Sequence, residues 1–278
     1  MKNILKIMLM MITIFTIAGS AVYAAEIPVS DQDQLITSRD WTEISNLQDE
    51  MKKEEPDATI DYDKALKVYV DCNLIKLQTA DTKKLTSALE SANYVWVIPF
   101  KMEKTYGMFT VAKGLPLREE AKSVLTKAEQ EEVKNHAGKW MITETAEHTV
   151  EPYYDILLEK REALSDCTRV VLVGSQPGMR QPVALGMDDE TARIWISLGY
   201  QYPVMKKIPE TQNVESGVYS FDSVAEISDT YIEDSEVSTG AGVQSRSSMK
   251  YVAGIGIVLI GSILILSVLK KKKIKSED

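Results

Sequence analysis

Apolar residues fall along this chain in three regimes: a long unbroken run near each end, a central stretch where they recur at short periods, and an acidic stretch where they thin out. The central stretch carries the fold. Asp40 with Glu43 three places on has the spacing of a capping box, and Trp41, Ile44, Leu47 and Met51 fall on one helical face before Pro56 closes the segment. Leu66, Val68, Val70, Cys72 and Leu74 then alternate with Lys67, Tyr69, Asp71 and Asn73, the period of a half-buried strand. Leu85, Ala88, Leu89 and Ala92 return to helical spacing. Tyr94 to Met102 is apolar on both faces, and Gly107 to Ala112 reads as its hairpin partner.

The second half follows a similar plan. A helix is predicted over about Arg118 to Asn135, with Ala121, Val124, Leu125 and Ala128 on one face, leading to a strand at Trp140 to Thr143. Tyr153, Leu157 and Leu164 mark another helix, Val170 to Val173 a buried strand, and Pro182 to Met187 and Thr191 to Leu198 two more strands after the turn Gln176-Pro177-Gly178. Sliding the chain so that Ala88-Leu89 falls on Ala163-Leu164 also lays Val95-Trp96-Val97-Ile98 on Val170-Val171-Leu172-Val173. Two copies of a β-α-β-β unit are therefore expected. Strands that alternate with helices but also pair as hairpins predict an α+β fold, a mixed β-sheet with helices mainly on one face.

The end runs set the topology. Lys2 and Lys6, the apolar stretch Ile7 to Ala18 and the small residues up to Ala24 have the order of a secretory signal peptide over residues 1–24. Tyr251 to Leu269 reaches roughly 28 Å as a helix, about the hydrocarbon thickness, so residues 251–269 read as a single transmembrane helix. Lys270 to Lys273 and Lys275 follow at once and place the tail, residues 270–278, in the cytoplasm and the N-terminus outside. Between them, residues 25–205 are expected to form one extracytoplasmic domain. Residues 206–250, rich in Ser, Thr and acids, are expected to form a flexible stalk in which only Val218 to Ile227 has the apolar content for further structure.

Charge and candidate chemistry narrow the function classes. Setting aside Lys2, Lys6, the five tail lysines, Glu277 and Asp278, the exported part carries 25 basic and 39 acidic residues, a net charge near −14. Such a surface repels nucleic acid and favours cationic partners. The chain has no Asn-x-Ser/Thr sequon, and with its Lys- and Ile-rich leader this points to a bacterial surface. His136 and His148 have no acidic or Cys partner at a ligand spacing, so no metal or cofactor is expected. Gly174-Ser175-Gln176-Pro177-Gly178 is not a nucleophile elbow, because Pro177 cannot continue into the required helix. Asp188, Asp189 and Glu190 read as a solvated hairpin tip, as do Asp61 and Asp63.

Two pairs of residues remain. Export permits a disulfide, and Cys72 beside one core strand can bridge to Cys167 just before another. Trp195 shares a polar strand face with Arg193 and Ser197, and an aromatic beside a cation can anchor a ligand. No catalytic set is expected. The leading function is a membrane-anchored binding module on a stalk, with an enzyme of dispersed catalytic residues or an accessory subunit of a membrane complex as the alternatives.

Overall fold

The computed structural model describes residues 27–228, apart from positions 149–150, 175, 177, 178, 180, 200, 201, 203 and 210–212. Its first half runs through α1 (Trp41–Ser45), α2 (Gln48–Glu54), β1 (Thr59–Ile60), β2 (Leu66–Val70), α3 (Thr82–Ser91), β3 (Asn93–Lys101) and β4 (Tyr106–Lys113). The second half adds α4 (Glu119–Lys122), α5 (Lys127–His136), β5 (Trp140–His148), α6 (Tyr153–Glu159), β6 (Arg169–Val173), β7 (Val183–Met187), β8 (Ala192–Ser197), β9 (Asn213–Glu215) and β10 (Val218–Ser220). Residues 221–228 are helical.

All the strands join one mixed sheet in the order β5-β4-β3-β2-β6-β7-β8-β10-β9, with β1 beside β3, and the class is α+β as expected. Every pairing between these strands is antiparallel except β2 with β6, where Val68 lies opposite Leu172 and Tyr69 opposite Val173. The sheet is thus two antiparallel meanders joined along one parallel seam. Val170 to Val173 is apolar at every position because both faces of that seam are covered. One face packs Leu66, Val68, Val170, Leu172 and Ile196 against Tyr153 and Leu157 of α6. On the other, Tyr69, Val171, Val173, Leu185 and Trp195 pack against Leu85 and Leu89 of α3 and against Phe221 and Val224. There α1 and α2 contribute Ile44 and Met51 over Trp96, Phe100 and Phe109.

Several expectations change. The proposed duplication is not kept in the pairing: β3 lies antiparallel to β2 whereas β6 lies parallel to it, and β5 pairs with β4 rather than with β6. The single helix over Arg118 to Asn135 is two short ones, broken where Thr126 forms a capping box with Glu129, and α5 has no buried residue among those described. Asp40 does not cap α1 through its side chain; its carboxylate accepts hydrogen bonds from Tyr94 Oη (2.8 Å) and Trp96 Nε1 (3.1 Å). The chain also does not leave the domain at Lys206. Val218 pairs with Ile196 and Tyr219 with Trp195, so the folded unit includes residues expected in the stalk.

The beginnings of β2 and β6 splay apart, and the N-terminal segment fills the fork. Val29 bridges to Val170 and Gln34 to Leu66, while Val170 N–H donates to Pro28 O (2.7 Å) and Leu35 N–H to Ala65 O (3.1 Å). One segment, with a 3-10 turn at Asp31–Asp33 between its two bridges, therefore pairs with both halves of the sheet.

Candidate functional site

Of the two residues read as a ligand anchor, Trp195 is fully buried and stacks on Phe221, with centroids 5.6 Å apart and planes 13° from parallel. Arg193 sits at a bulge, since Ala192 pairs with Met187 and Ile194 with Gly186, and its guanidinium reaches back to Asp188. The bulge breaks the alternation that had put the two side chains on one polar face. Trp195 is core, and the pair makes no site.

Nor do the cysteines meet. Both thiols are free: Cys72 belongs to the core on the α3 face and Cys167 to the core on the α6 face, so the sheet separates them. Burial pushes each thiol up to about 11, which leaves both protonated and unreactive at neutral pH. Asp188, by contrast, caps its own turn, its Oδ1 accepting from Glu190 N–H (2.8 Å) and Thr191 N–H (2.6 Å), as a hairpin tip should.

The densest polar cluster lies in the fork. Asp33, 2% exposed, accepts from Ser30 Oγ (2.6 Å), Tyr69 Oη (2.7 Å) and Arg169 Nη2 (3.1 Å), with Lys67 Nζ at 3.3 Å. The Lys67 ammonium stands 4.8 Å from the Tyr94 ring centre and 5.3 Å from that of Trp96. Burial alone would raise the Asp33 pKa; the hydrogen bonds from Ser30 and Tyr69 and the charges of Lys67 and Arg169 outweigh it and hold it below the usual value. Burial lowers the Lys67 pKa, and Asp33 only partly offsets this. Each charged side chain here has an oppositely charged partner inside the protein, although Arg169 Nε is buried without a hydrogen-bond partner, so the cluster's chemistry is to hold strands together.

The opposite end of the same seam is open. At the carboxyl end of β2, Asp71 takes a left-handed conformation (φ 55°) and turns the chain into a loop that Gln78 (φ 48°) closes the same way. Gln176, 3% exposed, ties this loop to the one after β6: its Nε2 donates to Cys72 O (2.6 Å) and Gly174 O (2.9 Å), and its Oε1 accepts from Leu74 N–H (3.0 Å). Between the loop and the last turns of α3 is a crevice of about 310 Å³, lined by residues that include Asp71, Asn73, Leu77, Ala88, Ser91 and Ala92. Leu77 stays 44% exposed there.

From β2 the chain goes to one side of the sheet, through α3 to β3, and from β6 to the other side, directly to β7. The crevice lies on the β2 side of this parting: every residue that lines it falls between Asp71 and Ala92, and none comes from β6 or the loop after it. The sequence had placed Asp71 on the polar side of a strand and Gln176 in a turn; neither the left-handed bend nor the buried amide has a local signature. Among the described residues, no group of three or more His, Cys, Asp or Glu side chains is placed to hold a metal. No protein-family model, curated protein or solved structure matches this chain.

Proposed function

We propose that this chain is an extracytoplasmic binding module anchored in the plasma membrane, and that the crevice between the loop after β2 and the last turns of α3 is where it binds. The observation that supports this best is the crevice itself: an open recess with polar and aliphatic walls beyond the carboxyl end of β2, built from a loop whose ends are both left-handed and from the last turns of α3. The partner is a protein, peptide or small ligand with positive charge, in keeping with the acidic ectodomain and at odds with nucleic acid.

The leader, the remainder of the stalk, the transmembrane helix at 251–269 and the cytoplasmic tail lie outside the described residues, and no helix among those described is long and apolar enough to cross a membrane. The anchoring rests on the apolar run and its lysine flank in the sequence. In this reading the chain holds the domain outside the cell and catalyses nothing.

Two measurements test the proposal. Protease added to intact cells removes the domain if the topology is right, and full protection refutes it. A photo-crosslinking residue at Leu77 captures a partner in living cells, whereas the same residue at exposed Glu131 on α5 does not; equal capture at both positions refutes the site. Turnover of a peptide, glycan or ester that one carboxylate substitution abolishes would establish the enzyme alternative instead.

A further inference from the structure

The polar lining of the crevice is rich in acceptors. Asp71 Oδ1 accepts from Asn93 N–H (3.0 Å) and Oδ2 from Asn93 Nδ2, and among the described residues the carboxylate has no cationic partner. The single hydroxyl hydrogen of Ser91 is shared between Ala88 O (2.9 Å) and Ser87 O (3.2 Å), which leaves its oxygen free to accept, and Asn73 Oδ1 already accepts from Lys76 N–H (3.0 Å). No lysine, arginine or histidine is among the lining residues, and the rest of the wall is Leu74, Leu77, Ala88, Ala92 and the Cys72 thiol.

An unpaired carboxylate and a hydroxyl acceptor beside an aliphatic wall match a cation on an aliphatic stem. They do not match every cation equally. A guanidinium binds best by laying two parallel N–H bonds on both oxygens of a carboxylate. Asn93 already occupies both Asp71 oxygens with just such a pair of donors. What remains on each oxygen faces away from the shared edge, which suits a compact ammonium that needs one contact at a time.

We propose that the crevice receives a primary ammonium on an alkyl stem, the chemistry of a lysine side chain presented by a peptide or protein, in preference to arginine. The inference rests on the crevice being the binding site. Asp71 takes the charge, Ser91 accepts a further N–H, and Leu77 with Ala88 and Ala92 covers the methylenes.

The test uses the full chain in nanodiscs of zwitterionic lipid and four peptides, acetyl-Gly-X-Gly-amide with X lysine, arginine, norleucine or glutamate, followed by saturation-transfer difference NMR. The lysine peptide should give at least a threefold larger signal than arginine, with glutamate silent. Asp71→Asn, which keeps a residue tolerant of the left-handed backbone, should reduce lysine to the norleucine level. Leu77→Gln, at an exposed position, should lower lysine and norleucine together. Arginine matching lysine, or an unchanged lysine preference in Asp71→Asn, overturns the ammonium assignment, while a norleucine signal that still depends on Leu77 keeps the crevice as the site. Silence from all four peptides overturns both.

Discussion

Asp33 and Arg169 lie 136 positions apart and meet in an ion pair of 3.1 Å in the fork between β2 and β6. Lys67, from the other strand, stands 3.3 Å from the second oxygen of the same carboxylate. One acidic side chain on the N-terminal segment thus pairs with a cation from each half of the sheet. The parallel seam is held at its carboxyl end by Gln176 and at its amino end by Asp33. Gln176 also steadies the crevice, because the Cys72 carbonyl and Leu74 N–H that it holds belong to the loop that forms one wall.

Asp33→Asn should destabilise the domain by about 3–5 kcal/mol, because removing one member of a buried charge cluster leaves the others desolvated and uncompensated. Denaturant unfolding with an unchanged m-value reads the loss. A change under about 1 kcal/mol would mean that the fork is held by the Val29 and Gln34 bridges alone.

The same carboxylate sets an acid limb. Its folded pKa lies below the unfolded value near 4, so its stabilisation is complete above about pH 5 and is lost as pH falls through that range towards the folded value. Lys67 has the opposite effect on the alkaline side: its lowered pKa means that its buried charge costs stability at neutral pH, a cost relieved only as pH climbs towards about 10. Melting temperature should therefore fall between about pH 5 and pH 3 in the parent and fall less in Asp33→Asn. Parallel acid limbs in the two proteins would assign the loss to other carboxylates.

These residues mark how far the sequence could be read. The hairpin from Tyr94 to Ala112, the strand at Val170 to Val173 and the helix carrying Leu85 and Leu89 were legible because local period and burial agree there. Lys67 and Tyr69 read as a solvent face because they are polar and alternate with Val68. They are buried because Asp33, far off in sequence, supplies their partner, and no periodicity encodes that. Trp195 was misplaced for a different reason, a bulge at Arg193 that shifts the count by one. The crevice was invisible because it depends on the left-handed bends at Asp71 and Gln78, which no apolar periodicity encodes.

Thiol chemistry separates the two cores. Iodoacetamide should modify two cysteines in the denatured, unreduced chain and neither at appreciable rate in the native domain at pH 7, since burial raises both thiols to about 11. Zero modified thiols after denaturation would restore the bridge between Cys72 and Cys167.

Gly107→Ala should cost roughly 1–3 kcal/mol by overpacking. A Cβ there would lie 2.1 Å from Phe100 Cζ, and Phe100 is 1% exposed with its ring 4.6 Å from that of Phe109, so it has nowhere to turn. Thermal unfolding measures this, and a neutral result would show that the aromatic pair can repack.

The last prediction concerns where the folded unit stops. A chain ended after Met205 loses β9, β10 and the helical residues 221–228, and with them Val218, Phe221 and Val224, all buried. At about 1.5–3 kcal/mol for each buried apolar side chain, the three together are worth roughly 5–9 kcal/mol, as large as the whole stability of many domains. The same cut strips the stacked ring of Phe221 from Trp195 and leaves β8 as a raw edge, its Ile194, Trp195 and Ile196 paired with β7 alone. A soluble fragment of residues 25–205 should therefore aggregate or melt without cooperativity, whereas 25–228 should show near-ultraviolet dichroism and a single sharp transition. Phe221→Ala in the full chain gives an independent reading, with an expected loss of about 3–5 kcal/mol for an aromatic removed from a packed core. A cooperative, dichroic 25–205 fragment with the same midpoint as 25–228 would show that the domain ends where the composition changes, at Lys206, and not where the packing does.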